Sequence, residues 1–153
     1  MLRRFLPSLV LLAAAPAAGQ ERETPYWASI RSKEVNMRVG PSENYPVDWV
    51  YKRKGLPLKV VRVMQGWRLV VDPDGTQGWV FAALLSPERT ALVVGEQLAP
   101  IRAEPSAGAP LRWNAEPGVV GKLGDCEAGW CEFDVDGRHG WIEADRLWGD
   151  GEP

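Results

Sequence analysis

Beyond residue 20 the apolar side chains of this chain fall into short runs with strand periodicity. Val47-Asp48-Trp49-Val50-Tyr51 sets large residues at every second position, the period of a half-buried strand. Leu58 to Met64 and Trp67 to Val71 are mostly branched and apolar and read the same way. Gly40-Pro41-Ser42, Lys54-Gly55, Gln65-Gly66 and Asp72-Pro73-Asp74-Gly75 separate the runs with the residues that tight turns need. No segment of helical period is long enough to carry a crossover, so a parallel sheet is excluded. Short strands with regular turns predict a small β-barrel or sandwich.

The pattern occurs twice. Arg38, Pro41, Ser42, Pro46 and Trp49 recur in order as Arg102, Pro105, Ser106, Pro110 and Trp113. Gly66-Trp67 recurs as Gly129-Trp130, and Gly75, Gly78-Trp79 and Leu85 as Gly137, Gly140-Trp141 and Leu147. The spacing between partners shortens one residue at a time, which single deletions in loops produce and strands do not tolerate. A unit of about 60 residues buries only about 60% of its unfolded surface, so each copy gains by docking on the other. The joint Leu85-Ser86-Pro87-Glu88-Arg89 is short and not Gly/Ser-rich, which predicts a fixed mutual orientation. The expected organisation is all-β: two tandem small barrels packed against each other, over 20–88 and 89–153.

Ahead of the repeat, Arg3 and Arg4 precede an apolar run from Phe5 to Ala15, and Pro16-Ala17-Ala18-Gly19 follow it. That order predicts a secretory signal peptide over 1–19, cleaved after Gly19. The run is too short for a membrane span, which takes about 20 apolar residues. The mature chain is therefore expected to be periplasmic or secreted, with no integral membrane segment. Eighteen Lys and Arg against 20 Asp and Glu give a formal net charge of −2, so the cationic surface that nucleic acid requires is lacking and nucleic acid is excluded as a partner. The charge is uneven: net positive from Gln20 to Leu92, net negative beyond. This predicts either electrostatic docking of the halves or a basic face on the first unit.

Asn36-Met37-Arg38-Val39-Gly40-Pro41-Ser42, then Tyr45-Pro46-Val47, Gly66-Trp67 and Gly78-Trp79-Val80, resembles the bacterial SH3 domain family. The resemblance covers nearly all of the chain beyond the signal and implies a five- to six-stranded SH3-like barrel per unit. It marks Asn36, Arg38, Gly40, Pro41, Gly78 and Trp79 in the first unit, and Arg102, Pro105, Gly140 and Trp141 in the second, as structural motif positions. The second unit departs from the pattern, with Ala99-Pro100 at the Asn36 position and Glu104 at that of Gly40. Members of this family often target cell-wall material or sit beside catalytic domains.

Cys126 and Cys131 are an even pair in an exported chain and predict a disulfide, with Gly129 in the turn between them. So short a loop contributes only about 2 kcal/mol of loop-closure entropy. The rival reading, a cell-wall cysteine hydrolase using Cys131 and His139, needs a free thiolate, and no peptidase motif surrounds it. Two cysteines and one histidine at this spacing match no zinc site, and the acids Asp125, Glu127, Asp134, Asp136, Glu143 and Asp145 lack the spacing of a calcium loop. No metal, cofactor or catalytic residue is expected. Of the eight tryptophans, six are repeat-matched and read as packing; Trp27 and Trp148 are unmatched and fall at the barrel edges or the junction. Arg38 and Arg102, being matched, are expected to brace loops through carbonyls.

The best recognition patch is Tyr45, Trp49 and Tyr51 with the basic turn Lys52, Arg53 and Lys54. Strand alternation puts Trp49 and Tyr51 on one side and Lys52 on the other. Exposed aromatic rings beside cations suit a sugar ring or an extended chain. The expected function is a non-catalytic binding or targeting module for cell-wall peptidoglycan or for an extended peptide of a partner protein. The alternative is a structural adaptor between envelope proteins.

Overall fold

The computed structural model describes residues 22–153, so the expected signal peptide lies outside the described residues. The first unit contains β1 (Tyr26–Ile30), β2 (Val35–Arg38), β3 (Val47–Tyr51), β4 (Pro57–Met64), β5 (Trp67–Val71), β6 (Gln77–Phe81) and β7 (Leu85–Ser86). The second repeats them as β8 (Thr90–Val93), β9 (Ala99–Arg102), β10 (Leu111–Ala115), β11 (Val120–Glu127), β12 (Trp130–Val135), β13 (Arg138–Glu143) and β14 (Leu147–Trp148). The strand orders are β3-β2-β6-β5-β4-β1-β7 and β10-β9-β13-β12-β11-β8-β14, one topology used twice. The pairings in both sheets are antiparallel. The all-β tandem expected from the repeat is what the chain forms. Among the described residues no helix is long and apolar enough to cross a membrane.

The repeat changes length only in its loops. In the second unit Asp136 and Gly137, both at positive φ (52° and 86°), make a two-residue hairpin turn from Val135 to Arg138. The first unit has a longer loop there, from Val71 to Gln77, whose N–H groups at Asp74 and Thr76 donate to Asp72 Oδ1 at 3.0 and 2.8 Å. The other deletion follows β3 and β10, where Lys52-Arg53-Lys54-Gly55 becomes Glu116-Pro117-Gly118. Both glycines have positive φ, and their N–H groups donate to Ile30 and Val93 carbonyls at 2.8 and 2.7 Å.

Each unit has its own core. Ile30, Val35, Met37, Leu58, Val60, Val70 and Val80 fill the first; Ala91, Val93, Ile101, Phe133 and Ile142 fill the second. Volume is exchanged between matched positions. Leu58 and Val70 correspond to Gly121 and Phe133, and a Cβ at Gly121 would lie 2.6 Å from Phe133 Cζ. A large residue on one strand is thus compensated by none on its neighbour, which keeps packing dense.

The junction is held by few contacts. Trp27 and Trp148 meet edge to face with centroids 4.9 Å apart, and Trp27 Nε1 donates to the Gly151 carbonyl at 3.0 Å. Ser29 Oγ donates to the Glu88 carbonyl at 2.9 Å, and Arg89 donates to the carbonyls of Gly149 and Gly151 at 2.9 and 3.2 Å. Gly149 is required there: its φ is 109°, and a Cβ would lie 2.8 Å from the Thr90 carbonyl and 3.2 Å from Pro57. Burial lowers the Arg89 pKa, Asp150 opposing and Arg22 reinforcing that shift. The ion pair Lys122–Glu88, at 3.0 Å, adds little to stability because both side chains are well exposed.

Candidate functional site

β3 is an edge strand of its sheet, and its alternation turns Trp49 and Tyr51 to one side. Their fates differ. Trp49 is 57% exposed and is the one exposed tryptophan of the eight. Tyr51 is only 5% exposed, with its hydroxyl donating to Asp72 Oδ2 at 2.9 Å and lying 3.3 Å from Met37 Sδ. Burial, then the bond to Asp72 and the nearby carboxylates, push the phenol well above the ordinary tyrosine range, so it stays uncharged. The expectation that Tyr51 is a solvent-facing contact residue is corrected: its polar end is consumed inside the unit, and only its ring contributes to a floor.

Asp72 links two structures with its two oxygens. One accepts from Tyr51 on β3; the other holds the 72–76 loop, which sets Pro73, Asp74 and Thr76 opposite Trp49 and Arg53. The result is a groove of about 340 Å³, walled by an indole and a proline, with a guanidinium and a carboxylate at its margins. Leu92 and Gly118 of the second unit complete the lining, so the site exists only in the docked pair. A mainly apolar concavity with a few placed polar groups is the usual form of a ligand site.

Of the expected patch, Trp49, Tyr51 and Arg53 come together in this groove, while Tyr45, Lys52 and Lys54 do not line it. Tyr45 is 46% exposed and lies over Gly40, where a Cβ would sit 2.5 Å from the ring. Lys54 turns into a separate cleft between the units, and Lys52 lines neither. Leu56, Asp72, Pro73, Asp74 and Thr76 are groove residues that sequence reasoning missed. Asp72-Pro73-Asp74-Gly75 was visible only as a turn, because its link to Tyr51 arises from sheet register.

The motif residues have structural work. Arg38 Nη1 donates to the Tyr45 carbonyl at 2.8 Å and Arg102 Nη1 to the Ala109 carbonyl at 2.9 Å, the same brace in both units. Arg38 is registered opposite Trp79 and Arg102 opposite Trp141. Gly78 and Gly140 admit Met37 and Ile101: a Cβ at either would come within 2.5 and 2.4 Å of those side chains. Asn36 is exposed on β2, and Pro41 and Pro105 lie in the braced loops.

Cys126 and Cys131 are directly opposed on β11 and β12 and form a disulfide. The cysteine hydrolase reading is overturned. Cys131 is bonded and buried, and it is registered opposite Ile142, three residues from His139, about 10 Å along the strand. His139 is exposed, its carbonyl accepting from Arg112 at 3.0 Å. Among the described residues no group of three or more His, Cys, Asp or Glu is placed to hold a metal ion.

Two antiparallel small-barrel units in tandem, each braced by an arginine and closed by a Gly-Trp strand, define a double-barrel protein of the SH3 type. Residues 31–87 and 95–149 each match the bacterial SH3 domain, and the chain belongs to that family. The resemblance read from the Asn36 to Ser42 stretch is thereby borne out. Among solved structures the chain is similar to NlpC2 of Trichomonas vaginalis, at 15% identity and a TM-score of 0.38, covering 85% of this chain and 50% of that one. It is similar also to NlpC1 of the same organism, at 16% identity and a TM-score of 0.36, covering 92% and 53%. An NlpC/P60 family protein from Bacillus cereus matches at 13% identity and a TM-score of 0.37, covering 80% and 56%. The chain thus spans about half the length of these proteins. No curated protein matches it.

Proposed function

We propose that the chain is an exported, non-catalytic binding module whose first unit grips an extended peptide-type ligand, the peptide portion of cell-wall peptidoglycan foremost. The supporting observation is Trp49. A tryptophan left more than half exposed, on an edge strand and at the lip of a groove, offers flat apolar area that the fold itself does not use. Arg53 and Asp74 flank it and supply opposite charges for main-chain or terminal polar groups. The charged, apolar and small-residue order of residues 1–19 supports export.

Sedimentation with purified cell-wall sacculi tests this reading. The wild type is expected to pellet, Trp49→Ala to remain in the supernatant, and Arg53→Gln to pellet less. Tyr51→Ala is unsuitable as a probe because it opens the core. Equal pelleting of wild type and Trp49→Ala, or none by either, would sink the reading.

A further inference from the structure

On the other flank of the basic turn lies a second and larger concavity. Arg53 lines the Trp49 groove, whereas Lys54 and Gly55 line a cleft of about 890 Å³ between the two units. The first unit contributes Arg31 and Lys54 to its walls; the second contributes Asp134 and Asp136. Among the described residues the one ion pair is Lys122–Glu88, which lines the same cleft. Arg31 and Lys54 therefore share the cleft with two carboxylates without pairing to them. Unlike charges held apart across a concavity form two complementary ends for a ligand that carries both.

Thr90 is 6% exposed, lines the cleft, and has its Oγ1 buried with no hydrogen-bond partner. Neighbouring Ser29 is equally buried, but its hydroxyl is spent on the Glu88 carbonyl. Neither hydroxyl is open to the cleft, so the cleft's polar contacts come from the charged side chains of its walls. No aromatic side chain lines the cleft, so a sugar ring finds no stacking face.

We propose that this cleft binds a short dipolar peptide, its carboxylate toward Arg31 and Lys54 and its ammonium toward Asp134 and Asp136. The site belongs to neither barrel alone, and it does not depend on the Trp49 groove.

Titration of the whole protein with dialanine, followed by two-dimensional NMR, tests the assignment. Shifts are expected at the cleft residues, with N-acetyl-dialanine and dialanine amide each binding about tenfold more weakly, since each lacks one charge. Asp136→Asn keeps a residue type tolerant of its positive φ of 52°. It should weaken dialanine about tenfold and leave the already weak N-acetyl form unchanged. Trp49→Ala should leave dialanine binding intact, which separates this site from the groove. Equal binding of the blocked and free peptides, or no shifts at the cleft residues, overturns the proposal.

Discussion

The two units share a topology and differ at one corner. In the first, Tyr51 fills the core end of β3, Trp49 stands out in solvent, and the following turn is Lys52-Arg53-Lys54. In the second, Ala115 takes the tyrosine's place, Trp113 packs against the core under the Arg138 guanidinium at 4.5 Å, and the turn is Glu116-Pro117. One indole is left exposed because a phenol occupies the space beside it; the other is drawn in where that space is vacant. The difference teaches that the surface of each unit is set by the residues the copies do not share. What they do share, the arginine braces and the Gly-Trp strands, builds the barrels.

The steepest contrast is expected at the matched glycines. A Cβ at Gly140 would meet the branched side chain of Ile101 and the Arg102 carbonyl at 2.9 Å, whereas at Gly78 it meets Met37, an unbranched chain that can bend away, and a carbonyl at 3.1 Å. Gly140→Ala should cost about 3 kcal/mol or more and Gly78→Ala nearer 1 kcal/mol, read from urea unfolding. Equal losses would show that the two cores yield alike. Next in size, Trp113→Ala should destabilise by about 2 kcal/mol through lost packing, while Trp49→Ala stays within about 0.5 kcal/mol, so binding and stability separate between the copies.

Replacing both Cys126 and Cys131 by alanine should remove about 2 kcal/mol from the second unit and leave the first unchanged, as amide hydrogen exchange resolved by unit would show. Tyr51→Phe, which has no counterpart in the second unit, should cost about 1 to 2 kcal/mol, because Asp72 loses its buried donor. It carries a pH signature. The folded pKa of Tyr51 is raised above the unfolded value of 10.0, so its contribution is complete below pH 10 and is lost as pH climbs beyond it. The urea midpoint of the wild type should therefore fall toward that of Tyr51→Phe at alkaline pH; a constant gap across the range would contradict the burial argument.

Much of this architecture was legible beforehand. Val47 to Tyr51 and Trp67 to Val71 are strands with the limits their alternation and branching implied, and Leu58 to Met64 is extended only by Pro57, which can open a strand. β1 and β8 are not legible in the sequence, because Tyr26-Trp27-Ala28-Ser29-Ile30 and Thr90-Ala91-Leu92-Val93 share little with each other and lack a turn motif of their own. The candidate site was half legible. Alternation placed Trp49 and Tyr51 on one side, yet nothing local shows that Asp72 reaches Tyr51, since they meet only through the register of separate strands. The walls supplied by Leu92 and Gly118 depend on how two barrels dock, which the pattern of one unit does not encode.

Two separate interiors joined through a thin seam have a calorimetric consequence. The enthalpy absorbed on heating should exceed the van't Hoff value drawn from the same trace, because the halves melt as distinct cooperative blocks. A single melting temperature would then describe neither half.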